Sequence, residues 1–583
     1  MYNVDEKVQT KNNSQAGINV ILACFAVVIY FAVKVFVFKR SFYTNDQLVM
    51  RDIASGVYSG ESNSHLVYIM AVLGAVFTGL YKLVPFVKWY DLFMLAVYPV
   101  CLTLSVFYIV RKFNRVFYKI VATVVVTLMF LSLNEWFIVM NEYTVNAGIL
   151  CATGLLCFIL AEGSKLSSYV PAIVCFVLTL LLRRQMFLMM LPVIVLLACF
   201  KIFVAEKRKI VLTAMVTAII CVVCVTIEST AYSSAEWKSF KKYNEARTDI
   251  VDFYGLPSFE YMENTLNEVG MDENEYRALG NAIGLIPGVD AETLSIIADE
   301  SKTIHNSFAP IWPISEEAKY NIRLALHDLK GSLVGKLILA SAAFLCFFSI
   351  LLYAEKEKKS ALLCVLTGGL TSIYTVAVII VFTLIGRFPE RISYPLYYAN
   401  LMILVGLLVF EFSYAGSTLV KRIVAIGYAI ICCTLIVLAF PNNHKAVNEN
   451  AAYWDGYISE AREVQDYCNG NSDNVYYVSG SIANFACDYM LKNSYRTSDN
   501  YITMGYWTLG SELFEKRCGR VLEDSLFASL INQKNAYFIM PSDSDKSWLE
   551  ELYCEYYGEV SIDVIDTIES SLRDLEVYSV TKN

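Results

Sequence analysis

From Ile18 to Phe38 the chain reads INVILACFAVVIYFAVKVFVF, twenty-one residues with one charge, Lys34. As a helix this run would be about 31 Å long, enough to cross a hydrocarbon core of about 30 Å. It is too long for a signal-peptide core and lacks a clear small-residue cleavage site, so it is expected to remain as a signal anchor. The same reading, carried outward, picks out Leu66–Val84, Tyr90–Val110, Val116–Leu133, Tyr143–Ala161, Tyr169–Leu182, Met186–Val204 and Ile210–Ile227. After a polar interval it picks out Leu333–Tyr353, Ala361–Ile385, Ile392–Phe412 and Val420–Phe440. The predicted fold is an α-helical polytopic membrane protein of about 11 to 13 membrane segments. No repeat of solenoid period interrupts the pattern.

Composition agrees. Of 583 residues, 56% are hydrophobic and 17% charged, with mean hydropathy +0.48, too apolar for soluble globules. The net charge of -8 hides a segregation. Ala231–Lys330 carries seventeen acids and nine bases, and Pro441–Asn583 twenty-three and eleven, leaving the rest of the chain at +12. Nucleic acid is not an expected partner; membrane lipids are. The basic clusters Arg111, Lys112, Arg115; Lys201, Lys207–Lys209; Lys356, Lys358, Lys359; and Lys421, Arg422 are read as cytoplasmic. The N-terminus is then cytoplasmic, and residues 39–65, 231–332 and 441–583 are extracytoplasmic. The run Leu66–Val84 breaks this alternation, because it would begin and end outside, and so is re-entrant or interfacial unless another segment is miscounted.

The chain divides into four parts: an N-terminal membrane module (1–230) with its first outer loop (39–65), an acidic helical cap (231–332), a second membrane module (333–440) and a tail (441–583). In the cap, Met262–Val269 and Asp272–Leu279 read as helices between turn signals at Gly255, Pro257, Gly280 and Pro287. In the tail, Val475–Val478, Ala536–Met540, Val560–Ile565 and Leu575–Val580 read as strands. Ile482–Leu491, Val521–Ile531 and Lys546–Tyr556 read as helices, and the alternation predicts a small α/β domain. Twelve of the sixteen cysteines lie in apolar runs as small hydrophobes. Cys468, Cys487, Cys518 and Cys554 lie in the tail, where an even count permits disulfides in an oxidising space.

The first outer loop contains Ser41-Phe42-Tyr43-Thr44-Asn45-Asp46-Gln47, running on to Gly56. Asp46, just beyond the first span on a short amphipathic segment, is placed to act as a general base toward an acceptor on the water side. Its plain alternative is to cap the helix beginning at Gln47. This acid, the turn with Gly56, Tyr58 and Gly60, the many spans and the terminal outer domain together resemble the GT-C glycosyltransferases. The nearest resemblance is to uncharacterised GT-C-like membrane proteins of Gram-positive bacteria, and it extends over most of the chain. It implies a polyprenyl-phosphate-linked sugar as donor and a glycan, lipid or protein as acceptor, at the outer face of a bacterial cell membrane.

Many members carry paired acids in this loop, whereas Asp46 lies between Asn45 and Gln47. A single carboxylate is a poor divalent site, so no metal ligands are assigned, and a divalent metal stays open as a cofactor. Asp52 or Glu61 could supply a second acid, although Asp52 on a continuous helix would point away from Asp46. Asn45, Asp52, His65 and Glu142 are candidates to line the acceptor cavity, against ordinary interfacial polarity. The leaving phosphate would need cations, and Arg387 and Arg391, between two spans, and Arg183 and Arg184, which break an apolar run, are the candidates. Against this, Arg387 could pair with Glu390, Arg391 could snorkel, and Arg183–Arg184 could be a hinge. Rival readings are a transporter or flippase of lipid-linked sugars, a polymerase or ligase of surface glycans, and a receptor. A transporter would more often show internal repeats and would not need an outer cap.

Overall fold

The computed structural model describes residues 2–583 except 44, 163–164, 205–206, 309–313, 355–357, 415–417, 481, 483–487, 492–499 and 506, with backbone alone at 2–14, 45, 353–354, 358, 413–414 and 418. Among the described residues, ten helices are long and apolar enough to cross a membrane. They lie in α1 (Tyr2–Val33, prolonged by a π-turn to Phe38), α4 (Trp89–Val110), α5 (Val116–Val139), α6 (Tyr143–Leu160), α8 (Arg184–Val204) and α9 (Lys207–Ala231). The rest are α15 (Leu333–Ala354), α16 (Lys358–Leu384), α17 (Glu390–Tyr414) and α18 (Thr418–Gly470). Every residue of α6 is buried, and it forms the axis of the bundle between α17 and α7 (Val170–Leu182). The approach to α17 needs a small residue, because a Cβ on Gly148 would stand 2.2 Å from the Cβ of Pro395.

Two apolar helices are short. α7 with the 3₁₀ turn Leu166–Tyr169 before it is about 25 Å long, and its ends lie at opposite ends of the bundle. Lys201 rests on the Tyr169 ring at one end, while Arg183, at the other, acts on Asp46. α7 therefore runs along α6 between the two ends of the bundle, although it is shorter than the ten candidate spans. α3 (Ala71–Leu83) does not cross. His65 and Val67, before it, bond to Ala231 and Tyr232 at the end of α9, and Lys88, after it, bonds to Leu491 of the tail. The run Leu66–Val84 thus starts and finishes at one end of the bundle, which removes the parity conflict.

At that end lie the cap and the tail. The cap comprises α10 (Ala235–Thr248), α11 (Phe259–Val269), α12 (Glu273–Asn281), α13 (Ala291–Phe308) and α14 (Glu316–Gly331). Ser234 caps α10, and Asp272 and Glu275 form a capping box on α12. A π-turn, Asp249–Tyr254, prolongs α10 and stops at Gly255, whose φ of 72° suits glycine. The tail has a five-stranded sheet of order β4-β2-β5-β7-β6: β2 (Val475–Val478), β4 (Tyr501–Thr503) and β5 (Ala536–Pro541) are parallel, and β7 (Leu575–Lys582) and β6 (Val560–Ile568) add antiparallel. Helices α19 (Glu512–Cys518), α20 (Leu526–Asn532) and α21 (Ser547–Tyr557) flank it. Leu279 and Leu285 of the cap share one apolar cluster with Leu509 and Trp548 of the tail, so the two pack as one body.

Two tail expectations are corrected. Within Ile482–Leu491, residues 483–487 and with them Cys487 lie outside the described residues, and Asp488–Tyr489 is not helix but strand β3, because it pairs with the first outer loop. The helix expected from Val521 begins at Leu526, where Ser525 caps it, and α19 was missed. Among the described residues, Cys468, Cys518 and Cys554 form no disulfide. The last apolar run stops at Phe440 but its helix does not: α18 continues unbroken to Gly470, 53 residues or about 80 Å.

Candidate active site

The first outer loop is gripped at both ends. Strand β1 (Phe42–Tyr43) pairs antiparallel with β3, Phe42 opposite Tyr489 and Tyr43 opposite Asp488. Two aromatic β-formers make that short pairing possible: Phe42 stacks on Trp454 of α18 at 6.0 Å, and Tyr43 lies 6.0 Å from Tyr90. At the far end the Tyr58 carbonyl accepts from Arg517 Nη1 (3.2 Å) and Arg520 Nη2 (2.9 Å), and its hydroxyl donates to Thr508 Oγ1 at 2.8 Å. Between them runs α2 (Asn45–Ser55), docked by a bond from Gln47 Nε2 to the Asn141 carbonyl.

Asp46 lies in the first turn of α2, where an acid suits the helix dipole; it does not stand ahead of the helix as a cap. It retains some surface but is densely surrounded. Burial raises its pKa above the ordinary carboxylate value, Arg391, Arg183 and Arg247 pull it back down in that order, and Asp252 adds a smaller upward push. These four residues come from the start of α17, the end of α7, the cap helix α10 and the cap π-turn.

Arg183 takes the extended position that ends α7, with φ -155°. Its guanidinium sits 5.3 Å from the ring centre of Tyr68 and 5.4 Å from that of Tyr143, and its Nη1 is buried without a hydrogen-bond partner among the described residues. Arg391 likewise forms no hydrogen bond or ion pair among the described residues. Glu142 caps α6, accepting from the Val145 N–H at 2.8 Å; burial raises its pKa, and Arg391 is the strongest opposing influence. Tyr68 has its phenol pushed up to about 12, first by burial and then by Asp46. The residue before it, Val67, has φ 66°, a left-handed conformation that costs a β-branched residue about 1–3 kcal/mol. The Tyr232 hydroxyl holds Val67 there by accepting from its N–H at 3.0 Å.

Of the residues singled out from sequence, Asp46, Arg183, Arg391 and Glu142 come together. Arg387 stands next to them but is committed. It pairs with Asp252 at 3.2 Å, bonds the Asp252 carbonyl at 2.9 Å and lies 4.5 Å over the Phe253 ring, so its partner is the cap and not Glu390. Arg184 begins α8 facing Glu228 and Lys241, away from its neighbour's site. His65 is a bracket: Nε2 donates to the Ala231 carbonyl at 3.0 Å and the ring stacks on Trp237 at 4.5 Å. Asp52 is fully buried and paired with Arg51 at 2.9 Å. The side chain of Asn45 lies outside the described residues. Arg247, Asp252 and Tyr68 were missed, and no spacing marks them: the first two reach Asp46 only when the cap folds back, and Tyr68 stands on the irregular segment before α3.

No group of three or more His, Cys, Asp or Glu among the described residues could hold a metal ion. The groups acting most on Asp46 are three guanidiniums, a setting that favours an anion over a cation. The arrangement offers a carboxylate of raised basicity and two guanidiniums with hydrogen-bonding capacity to spare.

Loss of the Arg387 contact has a modest expected cost. An ion pair this exposed is worth about 0.2–1 kcal/mol and the ring contact about as much. Arg387→Ala should therefore make the Asp249–Tyr254 turn more open to limited proteolysis, with a melting temperature within a few degrees of the parent's.

Fold and site together define a many-spanning helical membrane protein with a helical cap and an α/β tail at one end of its bundle. No family model matches the chain, and no curated protein matches it. Two solved structures, the crystal structures of ArnT from Cupriavidus metallidurans in the apo state and bound to undecaprenyl phosphate, are similar to it at TM-score 0.37 and 12% identity, covering 96% of this chain and 97% of that one. A likeness that loose assigns no activity to this chain.

Proposed function

We propose that this chain is a membrane glycosyltransferase that moves a sugar from a polyprenyl phosphate to an acceptor at the outer face of a cell membrane. The observation that carries the proposal is the placing of Asp46 beside Arg183 and Arg391, one with a buried, unpartnered Nη1 and the other without a partner among the described residues. In this reading the acceptor hydroxyl attacks the anomeric carbon as Asp46 takes its proton. The bond from that carbon to the phosphate oxygen breaks, its electron pair stays on the phosphate, and the anomeric centre inverts. Arg183 and Arg391 receive the charge that develops on the leaving group. The site's position near the membrane end, under the cap, lets a lipid-borne donor enter from the bilayer and an acceptor from water.

The test is transfer of labelled sugar from a synthetic polyprenyl-phosphate sugar to membrane extracts by the purified protein. Transfer that depends on both arginines is expected; binding of the lipid without any transfer would favour the transporter. Sidedness has its own test. The basic clusters Arg111–Arg115 and Lys207–Lys209 lie at the end opposite the tail, which predicts that protease added to intact spheroplasts releases fragments carrying Trp548. Complete protection of the tail would reverse the orientation.

A further inference from the structure

We propose that Trp507 of the tail is a positioning residue for the donor phosphate: it sets the ring of Tyr68, and through that ring the guanidinium of Arg183. The inference rests on the functional reading above. Although Trp507 follows β4 of the tail sheet, it is buried in the apolar cluster of the membrane bundle and not in the core of its own domain. Its ring meets that of Tyr68 nearly edge-on, centroids 5.1 Å apart at 60°. Tyr68 and Tyr143, 6.3 Å apart, are the two rings that hold Arg183.

The two walls differ in how they are fixed. Tyr143 stands on the first turn of a fully buried helix, whose neighbours pack it on every side. Tyr68 stands on an irregular segment between the strained Val67 and Met70, whose N–H bonds the Leu181 carbonyl at 2.8 Å. Contact with a ring face has a broad energy minimum, unlike a bidentate ion pair, so a guanidinium held this way goes where its rings go. Tyr68 is the adjustable wall, and Trp507 is what presses on it. The neighbour of Trp507, Thr508, accepts from the Tyr58 hydroxyl, which registers the same tail loop against the first outer loop. The strain kept at Val67, one residue from the contact, fits a segment whose shape is set for function.

The experiment measures binding of undecaprenyl phosphate to the purified full-length chain, by radioligand, for the parent, Trp507→Ala, Trp507→Phe, Arg183→Ala and the Trp507→Ala/Arg183→Ala double variant. Arg183→Ala should weaken binding about tenfold. Trp507→Ala should do nearly the same, Trp507→Phe should restore binding to within about twofold, and the double variant should be no weaker than Arg183→Ala by more than about twofold, because both changes remove one interaction. Should Trp507→Ala fail to fold, Trp507→Leu, which keeps apolar volume but offers no ring to Tyr68, takes its place with the same expectations. Parental binding by Arg183→Ala would overturn the phosphate reading itself. Weak binding by Arg183→Ala with parental binding by Trp507→Ala, or losses that multiply in the double variant, would overturn only the role of Trp507.

Discussion

Asp46→Asn is expected to lower sugar transfer by about 10²–10⁴-fold, the usual contribution of a general base, while the protein folds and binds donor lipid as before. Asparagine keeps the shape of the side chain and suits the start of a helix, so α2 should keep its place against Asn141. The pH profile gives a sharper check than the rate alone. A base must be unprotonated to act, so activity should fall toward acid. Because burial lifts the Asp46 pKa against the pull of three arginines, that fall should set in above the range of an exposed aspartate. Residual transfer by Asp46→Asn should lack this acid limb. Full activity of the purified variant, with the limb unchanged, would assign the proton to another group, and Glu142, beside the same two arginines, would be the first to examine.

Arg391→Ala is expected to lower donor kcat/KM by about 10- to 100-fold, since each charge-assisted contact to a phosphate is worth about 1.5–3 kcal/mol. Arg391→Lys should fall between, because an ammonium offers a point charge where a guanidinium offers a fork. The loss should appear in donor kinetics and not in acceptor KM. Arg391 stands in the first turn of α17 and makes no bond that the fold needs, so expression and thermal stability should stay near parental. Parental donor kinetics in Arg391→Ala would move the phosphate away from this site.

Hydropathy made the membrane spans legible because the bilayer selects for it directly, and Asp46 stood out as an acid in the short outer loop just beyond the first of them. The failures have physical causes. In Leu66–Val84 five apolar letters are spent on a bent segment, held by Tyr232 and Leu181, that no periodicity distinguishes from helix. In α18 hydropathy reports where lipid would stop, not where the helix does. Arg183 and Arg184 look equivalent as a pair, but one is the extended residue closing α7 and the other opens α8, so their side chains part. The share of the site owed to the cap depends on the π-turn that ends at Gly255 and on the Arg387–Asp252 pair, the latter a long-range outcome of folding.

The unbroken helix of α18 ties the tail to the bilayer in phase as well as in distance. Inserting or deleting one residue between Pro441 and Gly470 would turn everything beyond it by about 100° and move it about 1.5 Å along the axis. Tyr489 of β3 and Trp507 lie beyond that segment, while their partners Phe42 and Tyr68 lie on the membrane side. The helix therefore works as a key cut to one angle. Length changes tolerated in an ordinary surface loop would here unseat two contacts at once, and even two whole turns, which nearly restore the angle, would leave the tail about 10 Å too high to reach either.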